Sequence, residues 1–307
     1  MSRIHEALKK AEQERATSES LPQISPDPDP AVLDARVNSA ATSVGLSATS
    51  AAAPAPAMTG DALLDRTRRT NWRPDPETML FFSGQEHLYG MEEFRTLRSR
   101  LYQAREKHPL SKVLVTSPLP KEGKSFVTAN LGQVLVQQQG RRVLLVDADL
   151  RNPHLHSTLG AEAGPGLSDY LRSEKDEFSI IQGGPMENLF LIPAGSQNEN
   201  PAELVANGRM NTLLNRLQPL FDWIIVDSPP AAAVSDAALI ANYCDGVLMV
   251  VRSNATPFDI AQRARQEFGD NLIGVVLNGI STLPEYSQYY YNAYGKSNGH
   301  GQAMKMK

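Results

Sequence analysis

From about Leu80 onward the chain alternates short, continuous apolar runs with stretches of helical character, and this alternation restricts the fold more than any other feature. The apolar runs are Lys112–Thr116, Val143–Val146, Leu189–Ile192, Trp223–Val226, Gly246–Val251 and Leu272–Leu277. Helical stretches fall between them, around 123–139, 166–173, 201–218, 234–242 and 257–268. A strand that is apolar on both faces has to be covered on both, and a helix after each strand returns the chain to the same end of the sheet. The expected fold is therefore α/β, a mostly parallel sheet with helices on both faces. Such sheets bind ligands beyond the carboxyl ends of their strands. The residues just past each apolar run are the candidates for chemistry.

After Val113–Thr116 comes Ser117-Pro-Leu-Pro-Lys-Glu-Gly-Lys-Ser125, in which Gly123-Lys124-Ser125 opens a helix. This resembles the phosphate-binding loop of P-loop NTPases. Backbone N–H groups and the helix N-terminus face an anion, Lys124 reaches the terminal phosphates, and the Ser125 hydroxyl suits Mg²⁺. Two unit charges about 4 Å apart are worth about 4 kcal/mol at an effective dielectric of about 20, so the lysine carries much of the expected binding. The consensus glycine at position 118 is Pro118 here. Candidate cofactor-binding residues are Lys121, Glu122, Gly123, Lys124, Ser125 and Phe126, joined by Asn278 at the end of the last strand.

Two further strand ends carry acids. Asp147 and Asp149 follow Val143–Val146, and Asp227 follows Trp223–Val226, with Pro229-Pro230 stopping that strand. Carboxylates at the ends of apolar strands are costly unless a cation sits beside them. Asp227 is similar to a Walker B acid, which holds Mg²⁺ directly or through water. Ser125, Asp149 and Asp227 are the candidate metal-binding residues.

Composition limits the alternatives. The chain has 307 residues, 41% of them apolar, enough for a sizeable core. Its formal charge is −4, against the basic footprint of an electrostatically driven nucleic-acid binder. Cys244 is the one cysteine, so neither a disulfide framework nor a Cys-based zinc site is expected. His154 and His156 lie in a polar loop with no evident third ligand. No apolar run reaches the ~18 residues of a membrane helix, and the start lacks a signal-peptide core. The expected location is cytoplasmic.

The flanks differ from the centre. Residues 1–15 read as an amphipathic helix with Ile4, Ala7, Leu8 and Ala11 on one side, either frayed or docked on a partner. Residues 16–78 read as an Ala/Ser/Pro-rich, disordered linker, uncharged from 37 to 60. Residues 79–283 form the expected catalytic domain, and 284–307 a flexible tail.

Taken in order, PKEGKS, VLLVDADLR and WIIVDSPP resemble the Walker A, A′ and B motifs of bacterial tyrosine kinases, the P-loop autokinases of polysaccharide biosynthesis. EEFRTLRSRL (92–101) is similar to that family's ExxRxxR helix, PAGSQNENPAELV (193–205) to its post-strand loop and GVVLNG (274–279) to its final strand. The tail tyrosines Tyr286, Tyr289, Tyr290, Tyr291 and Tyr294 resemble its tyrosine cluster. The resemblance implies an ATP- and Mg²⁺-dependent protein-tyrosine autokinase acting on that tail. It assigns catalysis to Lys124, Asp147, Asp149 and Asp227, with either aspartate of the DxD as proton acceptor for a phenol of pKa about 10. It also implies a homo-oligomer, in a ring, contacting through Glu92, Arg95 and Arg98. Its partner would be a transmembrane chain-length regulator that recruits the chain to the inner membrane face.

Two departures matter. Lys121 stands where the family often has glycine, and Leu119 stands where partitioning ATPases carry a signature lysine. The competing function is a nucleotide-switch ATPase that positions a partner without phosphorylating tyrosine. The tail and Leu119 favour the kinase. For the ExxRxxR residues alone, an i,i+3 ion pair on a solvated face is the simpler reading.

Overall fold

The apolar runs pair into one sheet. The computed structural model describes residues 67–76, 78–82, 90–196 and 200–280. In chain order its elements are β1 (Arg68–Arg69), α1 (Met91–Lys107), β2 (Lys112–Thr116), α2 (Lys124–Val136), β3 (Val143–Asp147), α3 (Leu155–Thr158), α4 (Leu167–Leu171), β4 (Gln182–Gly183) and β5 (Leu189–Ile192). There follow α5 (Pro201–Ala206), α6 (Arg209–Leu217), β6 (Trp223–Asp227), α7 (Asp236–Ala241), β7 (Gly246–Arg252), α8 (Phe258–Phe268) and β8 (Leu272–Asn278). The strand order is β1-β4-β5-β3-β6-β2-β7-β8. Every neighbouring pair is parallel except β4 with β5.

Continuous apolar strands require two cores, and two are present. On one face Leu114, Leu144, Val146, Ile224 and Val226 pack beneath Leu213 and Leu217 of α6, Ile240 of α7 and Phe268 of α8. On the other, Val113, Val115, Leu145, Ile225 and Val250 pack beneath Phe94 and Leu101 of α1 and Val127, Leu131 and Leu135 of α2. Fully burying one such side chain is worth about 1.5–3 kcal/mol, so the strands are fixed chiefly by burial. Helix α2 is buried along its length from Val127 to Leu135. A Cβ at Gly132 would lie 2.6 Å from a methyl of Leu145, so a larger residue there would make Leu145 or α2 shift.

Register sets the site. Asp147 at the end of β3 lies opposite Asp227 at the end of β6, and Asp227 lies opposite Val115 in β2. Parallel strands in register thus bring two acids and the phosphate loop to one edge of the sheet.

The structure differs from the sequence expectation in three places. Residues 67–76, assigned above to the linker, belong to the fold: Arg68 and Arg69 pair with β4, and Trp72 is 3% exposed. A two-residue strand of arginines has no apolar period to betray it; its pairing is tertiary. The single helix expected over 201–218 is two, α5 and α6, separated at Gly208, whose φ of 78° is left-handed. The short α3 and β4 were not anticipated. Residues 1–66, including the proposed N-terminal helix, and 281–307, including the tyrosine cluster, lie outside the described residues. Among the described residues no helix is long and apolar enough to cross a membrane.

Candidate active site

The phosphate loop leaves β2 at Thr116 and enters α2 at Lys124. Gly123 turns the chain with φ 92°, and no side chain caps α2, so its first-turn N–H groups are available to an anion. Pro118 is accommodated because the position is used through its carbonyl, which accepts the Ala232 N–H at 3.2 Å; Ser117 O accepts the Ala231 N–H at 2.8 Å. The segment after β6 therefore lies against the start of the loop.

Lys124 is the hub of the acids. Its Nζ is 2.8 Å from Asp149 Oδ2 and 3.8 Å from Asp227 Oδ2. The Ser125 hydroxyl donates to Asp227 Oδ2 at 2.6 Å, and the Thr128 hydroxyl lies 3.2 Å from Asp227 Oδ1. Asp147 is turned to the backbone: Oδ1 accepts the Asp149 N–H at 3.3 Å and Oδ2 the Leu155 N–H at 3.0 Å. Asp149 Oδ1 accepts the Asn152 N–H at 3.0 Å. Asp147, Asp149 and Asp227 are all buried, with one ammonium among them.

Electrostatics follow from that imbalance. Burial, then the neighbouring Asp227, pushes the Asp147 carboxyl well above the usual range. Burial also raises Asp227, with Lys124 and the Ser125 hydroxyl opposing it. For Lys124, burial alone would lower the pKa, but Asp227, Asp149 and Asp147 together outweigh it and raise it. The lysine stays charged. The surplus of carboxylate and hydroxyl oxygen is a donor set suited to a small hard cation that keeps several waters.

The other sequence candidates are placed differently. Phe126 makes an edge contact with Phe94 at 6.0 Å between ring centres, which leaves only its backbone for the phosphates. Glu122 is 3% exposed and accepts the Leu119 N–H at 2.7 Å and the Thr256 hydroxyl. The Asn278 amide donates to Glu122 O at 2.8 Å. Lys121 is exposed, with a left-handed φ of 64°. On α1, Arg95 pairs with Glu92 of its own helix and Arg98 donates to Val134 O at 3.0 Å. Among the described residues no group of three or more His, Cys, Asp or Glu side chains is placed to hold a metal ion.

Sequence reading missed Thr128, although its i,i+3 spacing from Ser125 puts both hydroxyls on one side of α2. It also missed the forked pair between Arg151 and Asp236, at 2.8 and 3.2 Å, which ties the loop after β3 to the start of α7. No local signal marks that long-range pair.

A family model for the AAA domain matches residues 122–259, from the phosphate loop into α8. Tyrosine-protein kinase YwqD of Bacillus subtilis is 34% identical over 203 residues, 65% of this chain and 85% of that protein. The chain belongs to the bacterial tyrosine-kinase family. A second kinase relative, CpsD of Streptococcus agalactiae, is 32% identical over 62% of this chain and 82% of that protein. The putative tyrosine-protein kinase in the cps region of Klebsiella pneumoniae is 35% identical over 69% of this chain, which spans only 30% of that relative. Among solved structures, the kinase domain of Escherichia coli tyrosine kinase ETK superposes with a TM-score of 0.59 at 33% identity, covering 63% of this chain and 78% of that one. The septum site-determining protein MinD of Pyrococcus horikoshii, at 22% identity and TM-score 0.50, covering 59% of this chain and 76% of that one, shares the fold alone.

Proposed function

We propose that this tyrosine-kinase homologue is an ATP- and Mg²⁺-dependent autokinase that phosphorylates Tyr286, Tyr289, Tyr290, Tyr291 and Tyr294 of its own tail. The observation that carries the reading is the cluster of Lys124, Ser125, Asp149 and Asp227 at the uncapped start of α2. Ser125 and Asp227 would hold Mg²⁺, with Asp149 as the next oxygen donor. When bound, Mg²⁺–ATP supplies a transferable γ-phosphoryl group whose charge the metal partly neutralises.

The residues then have distinct tasks. Lys124 neutralises the terminal phosphates from within the carboxylate cluster. The first-turn N–H groups of α2 fix the phosphate chain. Asp147, bonded to two backbone N–H groups, holds the loop that carries Asp149. A tyrosine would enter as a neutral phenol; its oxygen bonds the γ-phosphorus as the bond to the β,γ-bridging oxygen breaks and ADP leaves, and one carboxylate of the Asp147–Asp149 pair takes the phenol's proton. Alignment and charge neutralisation supply most of the rate.

The proposed setting is capsule or exopolysaccharide synthesis, with a transmembrane chain-length regulator as activator and a homo-oligomeric ring as the working form. Support for the setting comes from the relative in a cps region. Incubating pure protein with ATP and Mg²⁺ and mapping phosphotyrosine tests the reading. Modified tail tyrosines are expected. Phosphate release with no phosphotyrosine would give the nucleotide-switch reading instead.

A further inference from the structure

Resting on the reading of this site as a nucleotide site, we infer that Asn278, Glu122 and Thr256 are positioning residues that act on the phosphate chain through the backbone of the loop. Both ends of the Asn278 amide are aimed at backbone. Its Nδ2 donates to Glu122 O at 2.8 Å, and its Oδ1 accepts the Gly279 N–H at 2.9 Å. This amide also lies against the α-carbon of Gly123, where a Cβ would come 2.1 Å from Nδ2. The residue directly before Lys124 is thus seated on the end of β8.

The end of β7 grips the same loop. The buried Glu122 carboxylate accepts the Leu119 N–H through one oxygen and the Thr256 hydroxyl through the other. Thr256 Oγ1 in turn accepts the Arg252 N–H at 3.2 Å, and Arg252 Nη1 donates to Lys121 O at 3.2 Å. Residues 121 and 122 are each hydrogen-bonded from outside the loop, and the Asn278 amide fills the space where a side chain at 123 would lie. There is a physical need for this. Lys121 sits at φ 64°, a left-handed conformation that costs a non-glycine residue about 1–2 kcal/mol, so the loop's shape is not self-sustaining. Glu122 has no other evident reason to be there, since a carboxylate beside a phosphate site repels the ligand.

That repulsion gives the test a sign. Removing a negative charge near phosphates would by Coulomb's law alone tighten binding; removing the grip loosens it. Titration calorimetry on the full chain compares Mg²⁺–ATP with Mg²⁺–tripolyphosphate, a probe that has no base. Asn278→Ala and Thr256→Val are each expected to weaken both probes by a common factor of about 10, the scale of one lost hydrogen bond. Glu122→Ala is expected to weaken both, while Glu122→Gln, which keeps an acceptor for the Leu119 N–H, restores most of the affinity. Glu122→Ala and Thr256→Val interrupt one hydrogen bond, so their losses should not add in the double variant. If Asn278→Ala weakens ATP but spares tripolyphosphate, Asn278 reads the base and the inference is wrong. Unchanged affinity in Thr256→Val, a near-isosteric change at a half-buried site, would equally overturn it. A wild-type chain that binds neither probe removes the nucleotide reading itself, and the grip with it.

Discussion

Lys124 is the counter-ion of buried acids and the proposed catalytic cation, and these two tasks separate in its variants. Lys124→Met leaves Asp149 and Asp227 without their ammonium, and breaking a buried pair costs about 3–5 kcal/mol. Asp227→Ala instead relieves a buried negative charge while giving up hydrogen bonds to Ser125 and Thr128. Both variants should lose tyrosine phosphorylation by at least about 100-fold, about 2.7 kcal/mol of barrier. In thermal melts the Lys124→Met protein should fall well below the Asp227→Ala protein. Kinase assays that retain a tenth of the rate in either variant would remove the catalytic assignment. Much of this cluster was legible in the sequence, because each member follows an apolar run that ends at the same edge. Thr128 and Asp236 were not, since a residue inside a buried helix and a lone acid far along the chain acquire their partners only in three dimensions.

At the scale of elements, the sequence reading succeeded where burial decides and failed where pairing does. The long runs of β2, β3, β5, β6, β7 and β8 announce themselves as strands; β1 and β4, two residues each, do not. The consequence is measurable. Deleting residues 1–66 removes no element described here, whereas deleting 1–75 removes β1 and the buried Trp72, whose loss alone is worth about 3–5 kcal/mol. The shorter truncation should melt like the full chain and the longer one clearly lower, and equal melting temperatures would place 67–75 outside the domain after all. A second element-level tie joins α4 to the loop after β5. Asp169 Oδ2 accepts the Gly166 N–H at 2.7 Å, and Oδ1 accepts the Ser196 hydroxyl at 2.6 Å and Arg172 Nη2 at 2.8 Å. Burial would raise this carboxyl, but those three donors together bring it below the usual range. A carboxyl whose pKa is lowered by folding contributes stability above its unfolded pKa and loses it as pH falls through the folded one. Asp169→Asn should therefore cost on the order of 1 kcal/mol at neutral pH and nothing once acid has protonated the wild-type residue. Urea titrations at both pH values check it; a gap that persists in acid would mean the carboxylate charge is irrelevant.

For the whole molecule, the prediction concerns association. A tail substrate reaches a neighbour's active site only if subunits meet, and α1 offers the proposed contact. Within one chain, Glu92 already orients Arg95, and Arg98 is held by the Val134 carbonyl, so both guanidinium groups are pre-positioned at the surface of one helix. Each phosphotyrosine adds about −1.5 to −2 charges, so several of them add roughly −5 or more to every tail, on a chain already at −4. Tails gathered near adjacent sites would then repel one another and no longer enter as neutral phenols. Light scattering at equal concentration should find the enzymatically dephosphorylated chain larger than the phosphorylated one. Arg95→Ala with Arg98→Ala should be small in both states. Because the repulsion is between exposed charges, whose Debye length shrinks from about 10 Å at 0.1 M salt to about 3 Å at 1 M, added salt should narrow the difference between the two wild-type states. A single mass before and after complete dephosphorylation would defeat this control of association by phosphorylation while leaving the kinase assignment standing. A difference that salt does not touch would mean that the phosphates act by shape or by blocking the phenol, not by charge.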